Sequence, residues 1–378
     1  MPFSESHYYL RQLSASCNFS KSRALWGKLA DCGLFLPLTI PRLMNTQKKR
    51  SFESLEGRQM MAGDVLAFMS SGNLMIVEAV GDYGQAQAVQ VSQLADGRIS
   101  VKGIAAQDGQ MSLVNGAAEQ IFSVPGNLIV DLAGGNDTLV LGRTGSSVFN
   151  DVNIKMSAPN ALPTSDRDVV VVERVTTRNH LTIDTGVGND FVSTWGVIVG
   201  DNNGIDNLSF RTGAGSDYHN IYNTTVYGNL TVSAYNYSNE FDIDRVYMQS
   251  AYARDNLQAF LGEGDDVLDV YDGYAGNDVY FSTAGGQDTV KLREVRALDD
   301  FWASLGDGDD SLDMQYLRAD ILTLDGGAGY DKLVSSVNGP VNQMVRTGFE
   351  WINGRVFYDY YFSQAANPAV KSTAWQSV

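Results

Sequence analysis

The chain has 378 residues, a formal net charge of −17 and 44% apolar residues, ample for a packed core, which excludes wholesale disorder. The charge is uneven: residues 1–50 carry eight Lys or Arg against Glu5 and Asp31, a net of +6, so the rest of the chain sums to −23. Such an acidic body excludes nucleic acid as a partner, since a phosphate backbone is held by lysine and arginine, and no run approaches the ~20 apolar residues of a membrane-spanning helix.

The basic N-terminal stretch holds the only cysteines, Cys17 and Cys32. With that stretch removed, no disulfide, CxxC zinc site or thiol nucleophile is available. The histidines, His7, His180 and His219, fall at no metal-ligand spacing. From Lys48 to Val65 the chain reads Lys-Lys-Arg-Ser-Phe-Glu-Ser-Leu-Glu-Gly-Arg-Gln-Met-Met-Ala-Gly-Asp-Val. This resembles the short motif that opens many exported proteins of planctomycete bacteria: basic residues, Phe-Glu-x-Leu-Glu-x-Arg, two apolar residues, then Ala-Gly-Asp. Gly57 and the Met60-Met61 pair are mild departures. The resemblance implies export across the inner membrane, hence a secreted, periplasmic or cell-surface location. Residues 1–64 are therefore read as an export segment, disordered or removed, with Met44 as an alternative start.

Residues 65–125 are patterned more loosely. Leu74-Met-Ile-Val and Ala88–Val91 predict the first strands, and Asp96-Gly97 predicts a hairpin turn before Ile99-Ser-Val. From Leu128 onward one unit recurs: Leu-x-apolar-x-x-Gly-x-Gly-x-Asp-x-apolar. Copies run from Leu128 to Asp137, Leu181 to Asp190, Leu208 to Asp217, Leu257 to Asp266, Val279 to Asp288, Phe301 to Asp310 and Leu322 to Asp331, and in all seven the apolar residue stands nine positions before the aspartate. Chance does not keep such a phase. Successive aspartates lie 27, 49, 22, 22 and 21 residues apart from Asp190 onward, and degenerate copies at Val152-Asn-Ile, Val169–Val172 and Leu230-Thr-Val fill the long gaps.

Each unit holds two short runs of period-two apolar alternation joined by a glycine turn, which reads as strand, turn, strand. One unit cannot bury its apolar face alone, so the units must stack, at ~4.8 Å per coil. The fold class is thus all-β: a parallel β-helix or β-roll-like solenoid with coils of about 22 residues, spanning 65–339. Asparagine precedes the opening apolar residue at Asn73, Asn127, Asn207, Asn229 and Asn256, which predicts an asparagine ladder. Arg254-Asp255, Arg296 with Asp299/Asp300, and Arg318 with Asp320 read as salt-bridged outer turns. The aromatic segment Phe349–Tyr358 breaks the phase, so 340–378 is read as a cap and tail over an open sheet edge.

The Gly-x-Gly-x-Asp-x-apolar turn resembles the nonapeptide of RTX (haemolysin-type) calcium-binding proteins, although the copies do not run in tandem and the first glycine is usually replaced. The resemblance implies calcium held between stacked turns, with Asp137, Asp190, Asp217, Asp266, Asp288, Asp310 and Asp331 as its carboxylate ligands. Independently, carboxylates one coil apart repel by about 1 kcal/mol in water and by 3–4 at an effective dielectric of 20. A hard cation with oxygen ligands turns that repulsion into attraction. Without an ion, each aspartate instead caps a turn by accepting backbone N–H bonds. No nucleophile–base pair is apparent, so an enzyme is not expected. The expected role is structural or adhesive, for a monomer facing surface glycans or other surface proteins. The alternative is a carbohydrate-active β-helix, a polysaccharide lyase or glycoside hydrolase, with candidate acids in Glu240–Arg245. Tyr218, Tyr222, Tyr227, Tyr235 and Tyr237 read as outward strand residues.

Overall fold

The computed structural model describes residues 63–79, 84–156, 166–204, 206–234, 242–336, 341–353 and 355–356. The export segment up to residue 62, together with Tyr235, Tyr237, Glu240, Phe241 and the tail after residue 356, lies outside them. Among the described residues every regular element is a strand. Alternation decides the faces. Leu181–Asp184 buries Leu181 and Ile183 and leaves Thr182 and Asp184 half-buried, while Phe191–Trp195 buries Val192 and Thr194.

The strands assemble into one sheet of twelve and one of sixteen, each coil giving a run to both, and coils pair in parallel through the body of the chain. Registration is strict. Leu74, Leu128, Val152, Leu181, Leu208, Leu230, Leu257, Val279, Phe301 and Leu322 form one row on the first sheet. Each of these is at most 1% exposed, so like side chains lie over like and no coil is closed without its neighbours. Burying one such side chain contributes about 1.5–3 kcal/mol. The second sheet mirrors this with Leu139, Val170, Val192, His219, Val246, Leu268, Val290, Leu312 and Leu333. A histidine thus stands in an aliphatic row.

Two corners make the turns. At the first, the second glycine of the motif has φ of 151° at Gly308, and a Cβ there would stand 1.6 Å from the Gly286 carbonyl oxygen one coil below. Stacking, as much as turn geometry, demands glycine. At the second, the long strands of the second sheet, such as Tyr218–Val226, Arg245–Ala253 and Val267–Ala275, bend at one left-handed residue. Arg174, Asn223, Ser250, Asp272, Glu294 and Tyr316 occupy this bend with φ between 48° and 58°, and Gly196 fills it with glycine at 63°. The salt-bridged outer turns are not found. Among the described residues the ion pairs are Arg98–Asp96 and Arg293–Asp269, whereas Arg254 donates to Asn202 Oδ1 and Arg296 lies over the Tyr274 ring.

The ends differ from the body. Val65–Ser70 folds back antiparallel on Asn73–Glu78, and Ala88–Gln93, Ile99–Gly103 and Glu119–Phe122 form an antiparallel meander on the other sheet, with Asp96-Gly97 in its first turn. The phase break after Asp331 does not end the solenoid. Val341–Thr347 extends the first sheet in parallel and Trp351–Ile352 the second, so pairing continues past residue 339. Backbone hydrogen bonds carry the register there after the Gly-x-Gly-x-Asp signature has gone.

Candidate functional site

The seven aspartates of the repeat stand in one file at the glycine corner, joined by two more, Asp168 and Asp244. The Oδ1 of each accepts the backbone N–H of the aspartate one coil earlier, at 2.7–2.9 Å from Asp137 through Asp331. Gln87 N–H opens the file on Asp137, and Asp331 N–H closes it on Glu350 Oε2. The spacing that finds the extra rungs is the coil itself, since Asp168 precedes Asp190 by 22 residues and Asp244 precedes Asp266 by 22. Their turns lack the two glycines, and the motif therefore passes over them. Asp244 belongs to the irregular coil proposed for acid chemistry, and there it serves as a rung. Its neighbour Asp242 accepts the Gly215 N–H.

Every rung is buried. One oxygen is satisfied; at Asp137, Asp168, Asp266, Asp310 and Asp331 the other, Oδ2, is buried without a hydrogen-bond partner. Burial pushes Asp137 and Asp266 up to about 9, with nearby carboxylates adding to it, and pushes Asp168 up to about 10, where Asp190 and Asp137 add most. Burial raises Asp190 to about 6 and Asp288 to about 7, held down in part by the Thr185 and Thr283 hydroxyls. Asp244 rises to about 8, Asp310 to about 6 and Asp331 to about 7, again through burial, and Asp217 rises strongly for the same reason. A carboxylate oxygen in this state takes a proton or a cation.

The fit to calcium rests on these Oδ2 oxygens. Turn amides are spent between coils: Gly286 N–H donates to Asp307 O, Ala328 N–H to Gly306 O, and Gly308 N–H to Ala328 O. What remains for an ion is one carboxylate oxygen per coil and the second-glycine carbonyls, of which those of Gly188, Gly286 and Gly308 face the next coil's glycine. Calcium takes six to eight oxygens. The file supplies its carboxylates in pairs, never three together. Among the described residues three acids converge elsewhere, at Asp278, Asp299 and Asp300.

Those acids end a second file at the opposite corner. Asn127, Asp151, His180, Asn207, Asn229, Asn256, Asp278 and Asp300 stand one per coil. Here the side chain accepts the N–H of the residue one coil later, at 2.9–3.2 Å. The two files run with opposite polarity and clamp each coil from both sides. Stacked amides touch directly only where Asn229 Nδ2 donates to Asn207 Oδ1 at 3.2 Å, so the ladder is chiefly one of side chain to backbone.

Outside the barrel wall, two concavities follow the coil axis. One, of about 480 Å³, lies along the left-handed bend and is lined by Asp272, Tyr274, Glu294, Arg296, Tyr316 and Arg318. The other, of about 470 Å³, crosses the first sheet beside Thr182, Ser209, Thr231 and Arg211. The outward tyrosines Tyr218 and Tyr222 are exposed as expected, Tyr218 stacked on Phe191 at 5.4 Å.

Fold and files together define the class: an all-β, two-sheet parallel solenoid whose corners are closed by polar side chains hydrogen-bonded from coil to coil. Comparison with known proteins finds no matching family model, no matching curated protein and no matching solved structure.

Proposed function

We propose that the chain is an exported structural or adhesive solenoid that presents its long outer faces to surface glycans or other surface proteins. The observation that carries this reading is the repetition of outward side chains along the axis. Trp195, Tyr222, Gln249, Tyr271, Arg293 and Gln315 form one outward row, one residue per coil. Such rows offer many weak contacts in line, which sum when the partner is itself extended. The resemblance of residues 48–65 to an export motif supports an extracellular setting. The test is retention of the full chain on envelope polysaccharide and envelope protein fractions. Binding to either supports the reading, and failure to bind both overturns it.

Calcium forms part of this proposal because of a magnitude. Keeping one carboxyl of ordinary acidity protonated at pH 7 costs about 4 kcal/mol. Asp190 and Asp310, near 6, ionise below that pH, but the four rungs held near 8 to 10, Asp137, Asp168, Asp244 and Asp266, together carry a cost comparable to a typical folding stability of about 5–15 kcal/mol. Protons alone are a poor neutraliser at neutral pH. Cations held by the inward Oδ2 oxygens of Asp137, Asp190, Asp217, Asp266, Asp288, Asp310 and Asp331, with Asp168 added, would supply the missing positive charge.

One observation favours the second reading, a carbohydrate-active β-helix: Asp272 and Glu294 stand one coil apart in the axial groove, where paired acids can attack a glycosidic bond. Release of reducing ends from a polysaccharide panel, abolished by Asp272→Asn or Glu294→Gln, would move the assignment to that reading.

A further inference from the structure

The groove along the left-handed bend contains features that the scaffold does not need. Parallel register sets Tyr252, Tyr274, Arg296 and Arg318 in consecutive coils on one outward line. The Tyr252 and Tyr274 rings stack at 4.7 Å and 4°, and the Arg296 guanidinium continues the stack at 5.7 Å. On the other side of the bend Arg293 lies over Tyr271 at 5.9 Å. Tyr316, at the bend itself, is 54% exposed.

Arg296 and Arg318 lie one coil apart, both exposed, and among the described residues neither forms an ion pair, although Asp272 and Glu294 line the same groove. Two like charges at that separation repel by about 1 kcal/mol in water. The acceptors Asp272 and Glu294 thus run along the bend, and the donors Arg296 and Arg318 along the line two residues further on. The groove's aliphatic member, Val295, is fully buried, so the exposed lining is charged, polar and aromatic, the mix that meets the hydroxyls and ring faces of a sugar chain. A net charge of −17 disfavours a polyanion.

We propose that this groove is a binding site for an uncharged polysaccharide chain lying along the solenoid axis. Sugar hydroxyls donate to Asp272 and Glu294 and accept from Arg296 and Arg318, while a pyranose face lies against the exposed Tyr316 ring. Because the groove lining spans three coils, each advancing ~4.8 Å, a longer chain gains contacts until the groove is filled. The inference rests on the surface-binding reading above and gives it a site, a ligand class and a direction.

The test titrates the full chain with neutral glucan, xylan and mannan oligosaccharides of increasing length, with polygalacturonate as the charged comparator. Wild type is compared with Tyr316→Ala/Arg318→Ala, both exposed positions, whose melting temperature is measured alongside. The expected result is affinity that rises with chain length and falls at least tenfold in the variant, with unchanged melting and no competition by polygalacturonate. Equal affinity in variant and wild type would overturn the groove while leaving surface binding intact. Tighter binding of polygalacturonate, or groove-dependent binding of protein alone, would overturn the ligand class. Absence of glycan binding by wild type overturns the proposal, and the scaffold reading then rests on the envelope-protein fraction.

Discussion

Removing divalent cations and raising the pH should weaken this protein, and the aspartate file gives the size of the effect. Asp266 is held near 9 by burial, against about 3.8 in an unfolded chain. Below pH 4 both states carry the proton, and the stabilising contribution is complete. Above it the unfolded chain releases the proton while the folded file retains it, so stability falls by about 1.4 kcal/mol per pH unit per rung. For Asp266 alone the loss between pH 5 and 8 is on the order of 4 kcal/mol. Asp190 and Asp310, near 6, ionise early and flatten their own share. In EDTA the melting temperature should therefore drop steadily from pH 5 to 8, and millimolar calcium should restore it and remove the slope. The variants Asp266→Asn and Asp266→Ala separate charge from hydrogen bonding. The amide keeps an acceptor for the Asp244 N–H and has no proton to hold, so in EDTA it should match wild type near pH 4 and exceed it by about 4 kcal/mol at pH 7, whereas alanine orphans that N–H at a cost of about 1–3 kcal/mol. Asparagine should also blunt the calcium response. A melting temperature flat across that pH range and indifferent to both calcium and chelator would refute the reasoning.

Three further outcomes follow from the packing. Gly308→Ala would drive a Cβ to 1.6 Å from Gly286 O and should cost 3 kcal/mol or more by denaturant titration, about three times the cost of Gly109→Ala; Gly109 also has a positive φ, 82° against 151°, but nothing within 4 Å. Ser250→Gly relieves a left-handed residue at φ 52° and should be neutral to stabilising by up to ~1 kcal/mol, since glycine's added chain entropy and a lost exposed hydrogen bond to Asp272 offset part of the gain; a loss beyond that size would contradict the strain argument. His219 is buried in the aliphatic row, where burial lowers it to about 3. Its unfolded form gains a proton below about 6.5 while the folded form does not, so stability falls as the pH drops through that value. His219→Val should flatten acid-induced melting between pH 6.5 and 4, and an unchanged acid profile would show that the imidazole plays no part in it.

Much of the fold was legible in the residues. The nine-position phase between apolar residue and aspartate, and the 22-residue return, already required stacked coils, because alternation builds half-buried strands that only a neighbouring unit can cover. The asparagine positions were legible for the same reason. The parts carried by backbone hydrogen bonds left no such trace. Asp168 and Asp244 sit in turns without the glycines, and Val341–Thr347 pairs in parallel although the signature has ended. Sequence spacing could align the aspartates but could not say that one oxygen of each is spent on the previous coil's N–H, or that at Asp137, Asp168, Asp266, Asp310 and Asp331 the other is buried and bare. That depends on how far and in which direction one coil is offset from the next. The mixed groove at the left-handed bend is likewise a tertiary product: Tyr252, Tyr274, Arg296 and Arg318 are about 22 residues apart along the chain and become neighbours only because each coil advances by a single strand spacing.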